Sequence, residues 1–280
     1  MSIITRLTHL PRVRILILVL LTFALTLGLT VKLPVKVQAQ SEPPPLSSLI
    51  PDEWEVVQAT DLRDTLIAIN REAGGTRCGC LSLSQAAPIT LVPLSGIGKT
   101  VAEYPTIFWF IPKTNAWGIK FVLYDANDKE VYSTQYKFAH YTQKNSYGHE
   151  FEIVEGTPGI ISLTLPGLAT RPPLLTPLKI GQKYRWQLRI ICNPNESSGD
   201  SYIDGGIERV QFNPLDERFL AQATLEERLA FYAKERIWYE TVGTLIELLR
   251  ERPDDQDVTN AWNKLLKSVG LEYTFLSAHK

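Results

Sequence analysis

The sequence predicts an α+β fold: an antiparallel β-sandwich of immunoglobulin or fibronectin type, followed by a small C-terminal helical subdomain. Three observations predict it. Between residues 106 and 212, seven segments rich in β-branched and aromatic residues recur with turn residues between them. After Asn213-Pro214 the apolar period changes from two to 3.6. The stretch from Leu178 to Trp186 (LKIGQKYRW) places Tyr184 at the entry of a late strand. There its hydroxyl can bond to upstream backbone and pin the corner between two sheets.

The elements follow in chain order. Residues 1–39 have the three-part pattern of a secretory signal peptide: Arg6, Arg12 and Arg14, then an apolar run from Ile15 to Leu29, then small residues up to Ala39. The run suits a signal core and is short for a membrane span of ~20 residues. The alternative is an uncleaved anchor facing the periplasm. Residues 40–75 begin with a Pro- and Ser-rich stretch and read as a linker and N-terminal segment. Residues 76–213 are assigned to the sandwich. Its strands are Thr106–Ile111, Gly118–Asp125, Glu130–Tyr136, Phe151–Glu155, Gly159–Leu165, Tyr184–Cys192 and Tyr202–Phe212. In the second of these, Ile119, Phe121 and Leu123 share one face. Residues 137–150 (KFAHYTQKNSYGHE) read as an inserted loop.

Residues 214–272 form the helical subdomain, and 273–280 a tail. Thr224-Leu-Glu-Glu227 is a capping box, in which the Thr side chain meets the N3 amide and Glu227 reaches back. A helix from about Tyr239 to Glu251 carries Val242, Leu245, Ile246 and Leu249 inward and stops before Pro253. Asp257 is positioned to cap a last helix, with Val258, Trp262, Leu265 and Leu266 on one face and Gly270 as its stop.

Charge narrows the function classes. The chain has 29 Lys and Arg against 30 Asp and Glu. Five of the basic residues and none of the acidic ones precede residue 40, so residues 40–280 carry a net charge of −6. A mildly acidic surface without basic runs repels phosphate backbones, so no nucleic-acid partner is expected. Contact with a membrane is expected only through an uncleaved signal.

Three cysteines remain: Cys78, Cys80 and Cys192. In an oxidising compartment two of them should pair. Cys80–Cys192 is the leading pairing, with Cys78 as a spare thiol. Cys78–Cys192 and a redox-active Cys78–Cys80 pair are the alternatives. Ser95-Gly-Ile-Gly-Lys-Thr100 ends like a phosphate-binding loop, but Pro93 stands where that pattern needs glycine. Trp117, His140, Tyr141 and His149 are the candidate ligand-facing residues. No metal site, cofactor or catalytic residue is assigned.

Several motifs, taken in order, resemble the cyanobacterial domain-of-unknown-function family numbered 928. They are Gly75-Thr76-Arg77, Cys80, Leu91-Val92-Pro93, Glu103-Tyr104-Pro105-Thr106, Phe108-Trp109-Phe110, Thr157-Pro158-Gly159-Ile160, Leu165-Pro166, Tyr184-Arg185-Trp186, Cys192, Ile207–Val210, Ile237-Trp238-Tyr239, Trp262, Leu265-Leu266 and Val269-Gly270-Leu271. Cys78, where glycine is expected, and residues 137–150 depart from the pattern. The resemblance implies a secreted or periplasmic protein without an established activity, and it supplies no catalytic residues. Composition and resemblance together lead to an extracytoplasmic, non-catalytic interaction module with a protein partner. A carbohydrate- or cell-wall-binding domain using Trp117 and the 137–150 loop is the alternative, and a thiol-disulfide oxidoreductase using Cys78 and Cys80 is the second.

Overall fold

A computed structural model of the chain describes residues 44–55, 80, 87–154, 159–167 and 175–271. The signal-like segment, Cys78 and most of the 40–75 segment lie outside the described residues. From Pro44 onward the chain forms one compact unit.

The β-branched and aromatic runs pair into two main sheets. Strands β1 (Ile89–Thr90), β3 (Thr106–Ile111) and β8 (Gly159–Thr164) form a three-stranded sheet in the order β1-β3-β8. Strands β2 (Ile97–Thr100), β4 (Gly118–Tyr124), β5 (Glu130–Lys137), β9 (Lys183–Ile191) and β10 (Ser201–Arg209) form a five-stranded sheet in the order β2-β10-β9-β4-β5. Inward residues alternate along β4 and β9: Ile119, Phe121 and Leu123 on one, and Tyr184, Trp186, Leu188 and Ile190 on the other. Trp109 of β3 lies over Phe121 and Trp186 at 6.4 Å between ring centres in each case, so β3 closes the core from the opposite sheet. At the corner before β9 the Tyr184 hydroxyl accepts a hydrogen bond from the Lys179 amide (3.0 Å).

Two features differ from the all-antiparallel expectation. The strands β1 and β2 are too short to stand out in the sequence. Between them the chain leaves the small sheet and joins the large one, turning at Gly96 with φ +79°. It then runs in the same direction as β10, so β2 and β10 pair in parallel. Second, the 137–150 segment is not a loop. His140–Lys144 (β6) and Glu150–Val154 (β7) form a hairpin closed by a turn at Asn145–His149. The Asn145 side chain accepts from the Tyr147 and His149 amides, an Asx turn that a purely compositional reading misses.

The helices follow their caps. Asn213 caps α2 (Pro214–Gln222), with Pro214 at its first position, and Thr224 and Glu227 make the expected capping box of α3 (Leu225–Lys234). Helix α4 (Trp238–Glu251) ends before Pro253. The cap of α5 (Gln256–Ser268) is Asp255, not Asp257. Asp257 instead accepts a hydrogen bond from the Leu46 amide (2.8 Å), at the start of the short α1 turn (Leu46–Leu49). That contact corrects the linker reading for residues 44–55. Leu46, Ile50 and Trp54 are buried, and the Trp54 ring meets Trp238 edge-on at 5.0 Å. Apolar residues placed among prolines and serines found a partner face on α5 and α4, and burial of that kind overrides a compositional linker signal.

The helical unit joins the sheets through the start of α4. Trp238 Nε1 donates to the Leu91 carbonyl (2.8 Å), beside the crossing from β1 to β2. Tyr239 Oη donates to the Gly206 carbonyl (2.8 Å) and accepts from Trp186 Nε1 (3.2 Å). Gly98 of β2 makes room for this contact, since a Cβ there would lie 2.8 Å from both the Trp238 and Tyr239 rings. Gly98→Ala is therefore expected to destabilise the protein by about 1–3 kcal/mol through overpacking. The measurement is a urea-unfolding midpoint, and an unchanged midpoint would refute this account of the seam.

Candidate functional site

The cysteines answer the first sequence question. A disulfide joins Cys80 to Cys192 with Cα atoms 5.3 Å apart, across a sequence separation of 112. Its surroundings are structural. The Cys80 carbonyl accepts from Asn115 N and Thr114 Oγ1, and Asp200 accepts from Cys192 N while pairing with Arg189. Asp200 belongs to the oxygen-rich 193–204 stretch and is already engaged. Among the described residues no group of three His, Cys, Asp or Glu is placed to hold a metal.

The turn before β2 is also occupied. Ser95 N and Oγ both donate to the Glu55 carboxylate, at 2.8 and 2.6 Å. A side-chain anion thus occupies the Ser95 donors, and Gly98-Lys99-Thr100 runs on as strand β2 rather than into a helix.

The four ligand-facing candidates do not converge. Trp117 is not in a free loop. Its amide donates to the Ile191 carbonyl and its carbonyl accepts from the Phe138 amide, so it extends the ladder just ahead of β4. Its ring is half-buried, with Lys137 Nζ 5.8 Å from its centre. His140 opens β6, whereas His149 sits at the far turn, so the two lie a whole strand apart, about 13 Å or more. Tyr141 is exposed on β6.

A second arrangement lies where α3 and α4 face the three-stranded sheet. Trp109 faces the core between the two sheets, so alternation turns Phe108 and Thr106 outward, toward α4. A cleft of about 540 Å³ opens there. Behind it sits Glu240. Its Oε1 accepts from Thr100 Oγ1 (2.6 Å), Val101 N (3.1 Å) and Ala102 N (3.2 Å), which fastens α4 to the chain leaving β2. Its Oε2 is buried without a hydrogen-bond partner among the described residues. Burial raises the Glu240 pKa above its ordinary value, against the hydrogen bonds that favour the charged form. The Tyr239 hydroxyl is pushed far upward, first by burial and then by Glu240.

The sequence profile of the family described as Domain of Unknown Function (DUF928) matches residues 72–278. The chain belongs to the DUF928 family. No curated protein matches it.

In this DUF928 member the helical side of the cleft is legible in the sequence. Glu240, Gly243, Thr244, Glu247 and Arg250 recur at helical spacing along α4, on the side away from Val242, Leu245 and Leu249. Glu240 directly follows the Ile237-Trp238-Tyr239 motif, yet nothing in its local sequence announces its burial. The donors come from residues 100–102, about 140 positions earlier.

Two outcomes follow for the DUF928 structure. Removing the disulfide by a Cys80→Ser/Cys192→Ser double substitution should cost about 4–5 kcal/mol on the chain-entropy account. Denaturant unfolding with and without reductant measures this, and a loss near zero would contradict it. For Glu240, a raised native pKa means that the folded state holds the proton more tightly than the unfolded chain. The resulting stability is present below 4.5 and is lost as pH rises through the raised value. Wild-type stability should therefore fall relative to Glu240→Gln as pH increases from 4.5. Parallel stability curves for the two proteins would refute the assignment.

Proposed function

We propose that this protein is an extracytoplasmic, non-catalytic interaction module that recognises a protein partner at the cell surface or in the periplasm. Its recognition element in this reading is the β6–β7 hairpin. One observation carries the reading: the hairpin pairs with neither main sheet among the described residues, and it presents Tyr141 and Tyr147 to solvent at 50 % and 85 % exposure. Tyrosine supplies a large, rigid, amphipathic contact area at low entropic cost, with Asn, Ser and Gly beside it for adaptable hydrogen bonding, as in the binding loops of antibodies. The turn sequence Asn145-Ser146-Tyr147-Gly148 has that composition.

The scaffold in this reading is an immunoglobulin-like sandwich. Support comes from the orders β1-β3-β8 and β2-β10-β9-β4-β5, the sheet switch between β1 and β2, and the Tyr184 corner. The placement outside the cytoplasm draws on the Cys80–Cys192 bond, which persists in oxidising compartments, and on the charged, apolar and small-residue pattern of residues 1–39. The glycan alternative through Trp117 has less support, because Lys137 stands over its half-buried ring. The thiol-disulfide alternative needs Cys80 free to exchange with Cys78, and Cys80 is bonded to Cys192.

The test is in-cell photocrosslinking with a photoreactive amino acid at position 141 or 147, alongside protease accessibility of the intact cell envelope. A discrete protein adduct at either position, absent when the probe replaces Lys179 on the opposite corner, is the expected result. No adduct at either position, or a protein found only in the cytoplasm, would overturn the proposal.

A further inference from the structure

The cleft between the three-stranded sheet and the α3–α4 pair has a composition that the interaction reading does not use. Its floor is made of hydroxyls on two paired strands. Thr106 of β3 stands opposite Thr164 of β8 with their Oγ1 atoms 2.8 Å apart, and Ser162 stands opposite Phe108. Tyr104 and Tyr232 also line the space. Tyr104 is held by a hydrogen bond from its hydroxyl to the Leu175 carbonyl (3.3 Å). Arg228 of α3 and Arg250 of α4 lie on the rim from facing helices. Arg228 is anchored by its Nε to the Leu220 carbonyl (3.2 Å), and neither arginine forms an ion pair among the described residues. Glu240 and Glu247 also line the cleft: Glu247 is exposed, whereas Glu240 has its Oε1 held by Thr100, Val101 and Ala102 and its Oε2 buried. Of the two acids only Glu247 is exposed to solvent, and neither acid is within ion-pair distance of Arg228 or Arg250 among the described residues.

Gly243 is an independent observation. It lies in the middle of a 14-residue helix, where glycine is the poorest helix former after proline. Its φ is not positive, and a Cβ placed on it would meet only Phe108, at the ordinary contact distance of 3.6 Å. Neither backbone geometry nor packing requires glycine there. What its missing side chain does is leave the cleft open above Phe108.

We propose that this cleft binds an acidic saccharide, with Arg228 and Arg250 taking its carboxylate and the hydroxyl floor and tyrosines taking its sugar ring. Guanidinium groups match a carboxylate in a planar, two-bond geometry. Hydroxyl side chains donate and accept at once, as sugar hydroxyls require. The volume falls within the range of small-ligand sites, about 300–1,000 Å³. The site is separate from the β6–β7 hairpin and stands or falls independently of partner recognition there.

Titration calorimetry of the whole chain tests it, with trigalacturonate as the probe, neutral galactotriose as its uncharged counterpart and triglutamate as an acidic peptide. Saturable binding of trigalacturonate is expected, at least about tenfold tighter than galactotriose or triglutamate, and weakened about tenfold by Arg250→Ala. Gly243→Leu should remove binding while leaving the urea-unfolding midpoint equal or higher, which separates blocking from misfolding. No binding of trigalacturonate, or undiminished binding by Gly243→Leu, would overturn the site. Triglutamate binding as tightly as the trisaccharide would overturn the saccharide assignment.

Discussion

One phenol hydroxyl sits where the sheets and the helices meet. Tyr239 donates to the Gly206 carbonyl of β10 and accepts from the Trp186 indole of β9, so it satisfies a buried N–H of the five-stranded sheet from a helix packed against it. The neighbouring residues are arranged around that contact. The Trp186 indole occupies the space a side chain on Gly205 would need, Gly206 lets Ile97 of β2 come close, and Gly98 lets the Trp238 and Tyr239 rings lie against the strand. Trp238 then reaches the Leu91 carbonyl, and Trp54 packs on Trp238. Three successive residues at the start of α4, Trp238 to Glu240, thereby fasten the helix to β10, to the β1–β2 crossing and to the chain after β2. The unpartnered oxygen of Glu240 is the cost of that third attachment.

The sheets and helices differ in how they balance polarity. In the five-stranded sheet the outer face of β9 is charged, and its charges are locally answered: Arg185 pairs with Asp128 and Asp204, and Arg189 with Asp200. Asp204 keeps a raised pKa because burial outweighs its Gln187 and Arg185 contacts. On the helical side the arginines of the cleft are not answered in the same way. That contrast, between arginines held in ion pairs on the sheet face and arginines without one in the cleft among the described residues, is why the cleft attracts a ligand argument and the sheet face does not.

Much of the architecture was legible in the residues. Alternation along β4 placed Ile119, Phe121 and Leu123 inward, the capping box fixed the start of α3, and Pro253 marked the end of α4. What escaped was set by contacts distant in the chain. Asp257 has the right residue type and position for a cap, yet it accepts from the Leu46 amide of α1 while Asp255 caps its own helix. Leu46 and Trp54 lie among linker-like residues and become core only because α4 and α5 offer a face. The 137–150 segment was polar enough to read as a loop, yet an Asx turn folds it into a hairpin. Of the candidate site, the stripe on α4 could be read at helical spacing. The floor contributed by β3 and β8 could not, because their pairing joins residues more than fifty positions apart.

The parallel pairing of β2 with β10 has a temporal consequence. Its partners are about a hundred residues apart, and the helix that seals them follows later still. Leu46 waits for Asp257, and the Trp54 amide for the Ser268 carbonyl. A growing chain can form the β4–β5 and β6–β7 hairpins early, because both close over short loops. It cannot complete either main sheet's seam until nearly the last helix has emerged. The native state therefore joins segments from both ends of the described unit, and its distant pairings should make folding slow for its size.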